Sequence, residues 1–308
     1  MKRILAVAAL ALASVASFAQ TTQKEFLERY STISGRLGVD GVGIETLLTK
    51  WEAAFPDDTN MMAAAFLYYY TKSQTNGTVS SSQSTYLGQK PILELKDSLD
   101  NPVYYFYDTT FDDEMFGKAQ QYIDKCNQIS PDKLENRCAA ITALLNYEKA
   151  SPDMALSKIR ELVAYNYASK PAWTYEDEAI DQDFFKSSVQ EYCYAFYKLG
   201  TPSGYEAFRA LSELMLQHNP SDVIFLDNIG SYYNVAKNDS KNAYKYYNKA
   251  LKVDPKDLTA IKNCIVMARK DKSTKLEKKY LPMMVNAAED ESTRLSAQAR
   301  LDYLNGKR

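Results

Sequence analysis

Histidine occurs once in 308 residues, which removes the commonest general base and the commonest metal ligand from most mechanisms. Four cysteines show neither a CxxC pair nor a Cys/His cluster, so a zinc site is not expected. Only 11 glycines and 10 prolines, against 45% hydrophobic and 25% charged residues, exclude collagen-like repeats, low-complexity polymers and disorder. Gly38, Gly41 and Gly43 do not make the dinucleotide fingerprint, and neither a phosphate loop nor a GxSxG elbow occurs. No catalytic residue and no cofactor are expected, and the chain reads as no enzyme. A slightly negative net charge argues against nucleic acid as a partner.

The longest apolar run lies at the start. Lys2 and Arg3 precede Ile4 to Phe18, and Ser17 and Ala19 put small residues where a signal peptidase reads. At 15 residues the run is shorter than the roughly 18 to 20 needed to span a bilayer. Residues 1–19 therefore read as a secretory signal peptide cleaved before Gln20, with no cysteine nearby to carry a lipid. No stop-transfer segment follows, so stable membrane insertion is not expected. Export to the periplasm is expected, with release outside the cell as the lesser alternative.

What is abundant is helical periodicity. Apolar residues recur at three- and four-residue spacing through about a dozen stretches, the first near 23–37 and the last near 291–305. Their short connections often hold Pro or Gly, as at Ser130-Pro131, Gly200-Thr201-Pro202 and Asn219-Pro220, which suits antiparallel hairpins. Pro282 is expected to kink or split its helix. Three segments break the rhythm. Residues 73–90 are Ser, Thr, Gln and Asn-rich and read as a mobile polar loop. Val103 to Tyr107 is a short strand or a buried connector. Residues 168–183 are irregular, with Thr174 and Asp177 spaced as a helix cap.

One stretch carries more. Leu226, Ile229, Gly230 and Tyr233, then Ala243, Tyr247, Ala250 and Leu251, then Pro255, place apolar, small and aromatic residues as one helix–turn–helix unit needs them. Pro220 to Pro255 is 35 residues, against about 34 for such a unit. This pattern over 222–255 resembles the tetratricopeptide repeat (TPR), with Leu226 in place of the usual tryptophan and one extra residue near Asn238. The pattern is fainter in flanking helices, where 111–129 is expected to pair with 133–148. The chain also resembles exported TPR proteins of Gram-negative anaerobes, notably over 112–124 and 175–185. The resemblance implies an all-α, right-handed TPR-like solenoid of antiparallel helix pairs, with an irregular, aromatic-rich N-terminal insertion. Its regions would be 20–110, helical with the polar loop, and 111–308, the repeats. It further implies a protein- or peptide-binding scaffold or adaptor that holds its partner in a groove.

Candidate groove residues come from the 24 tyrosines. Tyr68, Tyr69 and Tyr70 are consecutive on one helix, so at about 100° per residue they cannot share one face. Tyr192, with Tyr194 and Tyr197, is a further candidate, as are Tyr244, Tyr246 and Tyr247; packing of helix on helix is the alternative for all of them. Asn228 and Asn263 occupy equivalent steps on successive first helices. Some TPR domains grip a partner's C-terminal carboxylate there, but Asp227 stands where a lysine is wanted, so that specificity is not carried over. A glycan or other small ligand in a tyrosine-rich groove is the second functional reading, and a carboxylate-based hydrolase the third. The acidic runs 112–114 and 176–183 fit helix starts as well as acid–base work. His218 fits a helix end. Residues 241–308 carry a surplus of basic charge, which suggests an acidic partner there. Cys126 and Cys138 flank a turn almost symmetrically, so a disulfide and buried free thiols both stay open.

Overall fold

The computed structural model describes residues 21–306, so the expected leader lies outside the described residues. The described chain is an all-α solenoid of antiparallel helix pairs, with thirteen α-helices and one small sheet set among them. In order these are α1 (Gln23–Leu37), α2 (Ile44–Ala54), α3 (Thr59–Ser73), β1 (Gln74–Ser81), β2 (Leu93–Lys96), β3 (Pro102–Phe111), α4 (Asp113–Ile129), α5 (Leu134–Glu148) and α6 (Asp153–Ser169). There follow the two-residue strands β4 (Thr174–Tyr175) and β5 (Glu178–Ala179). Then come α7 (Gln182–Lys198), α8 (Pro202–His218), α9 (Val223–Val235), α10 (Ser240–Val253), α11 (Leu258–Lys270), α12 (Thr274–Ala287) and α13 (Glu291–Leu304).

Helix starts follow from local chemistry. Asp58, Asp112, Asp181, Thr201, Asp222 and Asp257 each accept a backbone N–H of the first turn that would otherwise lack a partner. The acidic runs are thereby accounted for in part: Asp112 caps α4 and Asp181 caps α7. Thr174 does not cap a helix. It opens a hairpin whose turn residues, Glu176 and Asp177, have φ of +52° and +64°, and α7 begins only at Gln182. Lys133 holds that turn through Asp177 at 2.8 Å. Pro282 does not split α12, which runs unbroken between the flanking α11 and α13.

The helices pair α3 with α4, α5 with α6, α7 with α8, α9 with α10 and α11 with α12. Pairing in the N-terminal half thus differs from the expected 111–129 with 133–148. The α3–α4 pair is joined by the sheet: Asp112 N–H donates to Ser73 C=O at 2.8 Å, so strands begin and end where the two helices meet. The expected mobile loop over 73–90 is corrected here. Residues 74–81 form β1, antiparallel to β3 over its whole length, and β2 pairs with the other edge of β3. The ladder's main-chain bonds hold a polar segment that has no apolar side chains to bury, while Phe106 of β3 is fully buried under the Tyr86 ring.

Buried apolar side chains run along the stack in two clusters that meet at α9, one from Phe26 to Tyr232 and one from Leu226 to Ala297. A pair of helices buries its apolar side against the next pair, as a solenoid requires. Trp51 and Trp173, both buried, give their indole N–H to Asp58 and Asn166 at 2.9 and 2.8 Å, so neither polar group is stranded. In α9–α10, Leu226, Ile229, Ala243, Tyr247, Ala250 and Leu251 are buried, Tyr233 stacks on Tyr246, and Pro255 follows the α10 cap at Asp254. Each fully buried Leu, Ile or aromatic side chain contributes about 1.5–3 kcal/mol relative to exposure.

Candidate functional site

Three consecutive tyrosines of α3 diverge to three neighbours. Tyr68 turns to α2 and donates to Glu45 at 3.2 Å; burial first, then the Glu45 carboxylate, push its phenol up to about 12. Tyr69 stacks on Tyr122 of α4, and Tyr122 donates to Glu52 at 2.9 Å. Tyr70 turns to the sheet and to α5, where it meets Phe111 and accepts from Asn146 Nδ2 at 2.9 Å. Tyr70 alone of the three lines a cavity.

Tyr192 is buried in the α5–α7 contact, donating to the Cys138 carbonyl at 3.1 Å, and its phenol is raised chiefly by that burial. Asn228 is buried as well: it exchanges hydrogen bonds with Gln190 at 2.7 and 3.3 Å, tying α9 to α7 beside a cleft of about 110 Å³. Asn263 is half-buried on α11. The structure therefore does not bring Tyr68, Tyr192, Asn228 and Asn263 together in one groove. First helices carry Tyr70, Asn228 and Asn263, but they are used in separate places.

A continuous groove opens elsewhere, between α4 and α6 with α5 as its floor. It consists of two adjoining hollows of about 510 and 390 Å³. Phe116, Leu144, Tyr147 and Met154 make the first apolar; Ala140, Ile141 and Leu162 continue the floor of the second. The ion pair Lys158–Asp124, 3.0 Å, crosses the boundary. Along the α4 wall lie Asp113, Gly117, Gln120, Asp124 and Asn127, one stripe at helical spacing opposite the buried Phe116, Ala119, Ile123 and Cys126. Two atoms of this stripe stand out. Gln120 Nε2 and Asn127 Oδ1 are screened from water, yet neither forms a hydrogen bond within the protein. A buried donor or acceptor without a partner costs about 1–3 kcal/mol, and native proteins keep few of them.

The second hollow ends at Arg137, whose Nε donates to the Pro131 carbonyl at 2.7 Å and whose guanidinium lies 4.5 Å from the Tyr165 ring centre. Gly117 has open space in front of it: a Cβ added there meets nothing within 4 Å. Apart from Asp113, in the first acidic run, no residue of the α4 stripe is expected from sequence to line a site. The legible signal is a glycine between polar residues on the face of α4 opposite its apolar stripe.

A different pair marks the α9–α11 junction. Asp227 is buried, its Oδ1 has no hydrogen-bond partner, and desolvation, with the Asp257 carboxylate beside it, raises its pKa to about 9. Asp257 meanwhile caps α11 through Thr259 and Ala260. The position thus disfavours a bound carboxylate, as the acid at that step implied.

The proposed Cys126–Cys138 bridge is not formed, and all four cysteines are free. The two sulfurs serve different contacts. Cys126 lies against α3, its sulfur 3.5 Å from the Thr59 carbonyl and accepting from Asn136 Nδ2; Cys138 lies beneath Tyr192 of α7. Burial pushes the Cys126 thiol up to about 11 and those of Cys193 and Cys264 up to about 12. His218 ends α8 with its ring stacked on Tyr167, centroids 3.7 Å apart. In the basic C-terminal third, Arg269 and Arg300 are turned inward, both bonded to the buried Glu277 at 2.7 and 2.8 Å. No described helix is long and apolar enough to cross a membrane.

No protein-family model matches the sequence, and no curated protein matches it. Among solved structures, the chain is similar to the flexible tandem repeat domain of bacterial cellulose synthase. The two are 15% identical with a TM-score of 0.29, over 93% of this chain and 98% of the other.

Proposed function

We propose that this chain is a non-enzymatic scaffold of the tetratricopeptide type, exported to the cell envelope, which holds an extended segment of a protein partner in the α4–α6 groove. One observation carries the reading. Gln120 and Asn127 are seven residues apart on one helix, so about 10 Å of rise separates their unused donor and acceptor. Three residues of an extended peptide cover the same distance. A peptide main chain offers donors and acceptors together, and binding would satisfy both orphaned atoms over an apolar floor. The basic surplus of 241–308 adds long-range attraction for an acidic partner, which predicts binding that weakens as salt rises.

The test is selection of peptides from a displayed random library on the full chain, then measurement of the selected peptides by fluorescence polarisation. Gly117→Trp fills the groove from a position that is open to solvent, and Gln120→Ala with Asn127→Ala removes the two polar anchors. Selected peptides should bind micromolar or tighter and lose tenfold or more with either variant. Failure to enrich any peptide, or equal binding to wild type and Gly117→Trp, overturns the reading.

A further inference from the structure

The sheet is fastened to the helices by one turn. Tyr86 and Gln89 exchange both backbone hydrogen bonds, at 2.8 and 3.3 Å, around Leu87 and Gly88, whose φ values are +48° and +70°. These are the dihedrals of a two-residue hairpin turn with both central residues left-handed. A Cβ on Gly88 would stand 1.8 Å from the Lys198 carbonyl oxygen, so the tip rests on the last turn of α7 by main-chain contact.

Between this seated tip, β3 and the C-terminal turns of α5 and α7 lies a cavity of about 480 Å³, within the size range of small-ligand sites. Its walls come from separate elements that the turn holds in place. Tyr107 and Phe111 of β3 and Tyr70 of α3 supply rings. Lys149 Nζ grips both oxygens of Asp108, at 2.8 and 2.9 Å, and both side chains are largely buried, so the pair is fixed and its charges cancel. Asn146 and Gln89 add amide groups, and the Asn146 amide is oriented by its bond to Tyr70.

The chemistry that suits such a lining is narrow. An apolar ligand would cover the ion pair and amides without pairing them. A strongly charged ligand would meet a neutral pair. A pyranose has a flat C–H face for a ring and a rim of hydroxyls, each both donor and acceptor, for the amides and the ion pair. We infer that this cavity binds a neutral saccharide of one or two pyranose units. The site lies on α3, α5, α7 and the sheet, apart from the α4–α6 groove, and does not depend on a peptide being bound there.

The experiment uses the full chain and named probes: glucose, galactose, mannose, N-acetylglucosamine, cellobiose, lactose and maltose, each followed by saturation-transfer NMR and calorimetric titration. At least one should bind with millimolar or better affinity, with transfer strongest at the ring C–H protons. Tyr107 is mostly exposed, so Tyr107→Ala keeps the fold, checked by an unchanged melting temperature, and should weaken the sugar tenfold or more. Asn146→Ala should do the same, and Gly117→Trp should leave sugar affinity unchanged. Absence of binding by every probe at about 10 mM, or binding indifferent to Tyr107→Ala and Asn146→Ala, overturns the inference.

Discussion

Gly230 of α9 lies against the ring of Tyr247 of α10 so closely that a Cβ on the glycine would stand 2.7 Å from Tyr247 Cε1. Tyr247 is fully buried, and its hydroxyl shares a 3.0 Å hydrogen bond with Ser231, so the ring has nowhere to retreat. Gly230→Ala gains helix propensity of about 0.5–1 kcal/mol but overpacks a closed site, which typically costs about 1–3 kcal/mol. A net loss is expected in urea titration. Gly117→Ala is the control within the same fold: with nothing near the new Cβ, only the propensity gain remains, about 0.5–1 kcal/mol of added stability. Equal effects at the two glycines would contradict the packing described.

Glu277 predicts how the C-terminal repeats respond to acid. Hydrogen bonds from Arg300 and then Arg269, outweighing desolvation, lower its pKa to about 2. The folded value lies below the unfolded carboxylate, near 4.3, so the stabilisation is complete above that unfolded value and is lost as pH falls towards 2. Glu277→Gln should destabilise at neutral pH by about 1–3 kcal/mol, since it leaves two guanidinium groups without their shared acceptor. The variant should also flatten the acid limb of a melting-temperature profile between about pH 4.5 and 2.

Asp227 works in the opposite sense. Its folded pKa is raised to about 9, first by desolvation and then by Asp257. The folded state therefore holds a proton that the unfolded state has released, and stability falls as pH rises from about 4 to about 9. Asp227→Asn imitates the protonated form and should remove that slope. The variant should be more stable than wild type at neutral pH, by a margin that widens up to about pH 9 and then stays constant. A variant less stable than wild type at about pH 8 would show that the carboxyl is ionised there and paired.

How far these features were legible from the chain differs by kind. Helix positions were readable because each helix carries both an apolar stripe and a local start signal such as Asp222 or Thr201. Gly230 and Tyr247 were readable because their contact is local, within one hairpin. The sheet was not readable: β1 has no alternation of apolar residues, and its partner β3 lies far along the chain, with Gln74 opposite Phe111, so only main-chain pairing defines it. That insertion also concealed the α3–α4 pairing and shifted the expected pairing of the helices that follow. The tyrosines signalled cavities poorly, because a phenol can satisfy burial by donating to a nearby carboxylate or carbonyl, as Tyr68, Tyr122 and Tyr192 do.

The cysteines give a chemical prediction. With Cys126, Cys193 and Cys264 buried and their thiols raised to about 11 or 12, little thiolate exists at about pH 8. Native protein should react with an aromatic disulfide reagent slowly and as one unfolding-limited phase. Denatured, unreduced protein should titrate four thiols at once. Two thiols would mean that a Cys126–Cys138 bridge forms in spite of the contacts that direct the two sulfurs to α3 and α7.

Gly88 sets the last expectation, because the clash at Lys198 involves backbone on one side and cannot be relieved by a rotamer change. Gly88→Ala must lift the turn off α7, and the left-handed φ adds a cost of roughly 1 kcal/mol for a residue with a side chain. The helices keep their own core, so the loss should be local. Limited proteolysis should cut Gly88→Ala within 82–92 well before it cuts wild type, while the far-ultraviolet helical signal stays the same. Hydrogen exchange should quicken in β2 and the turn rather than in α5 or α7, since the sheet's two edges have only β3 to hold them once the tip is free.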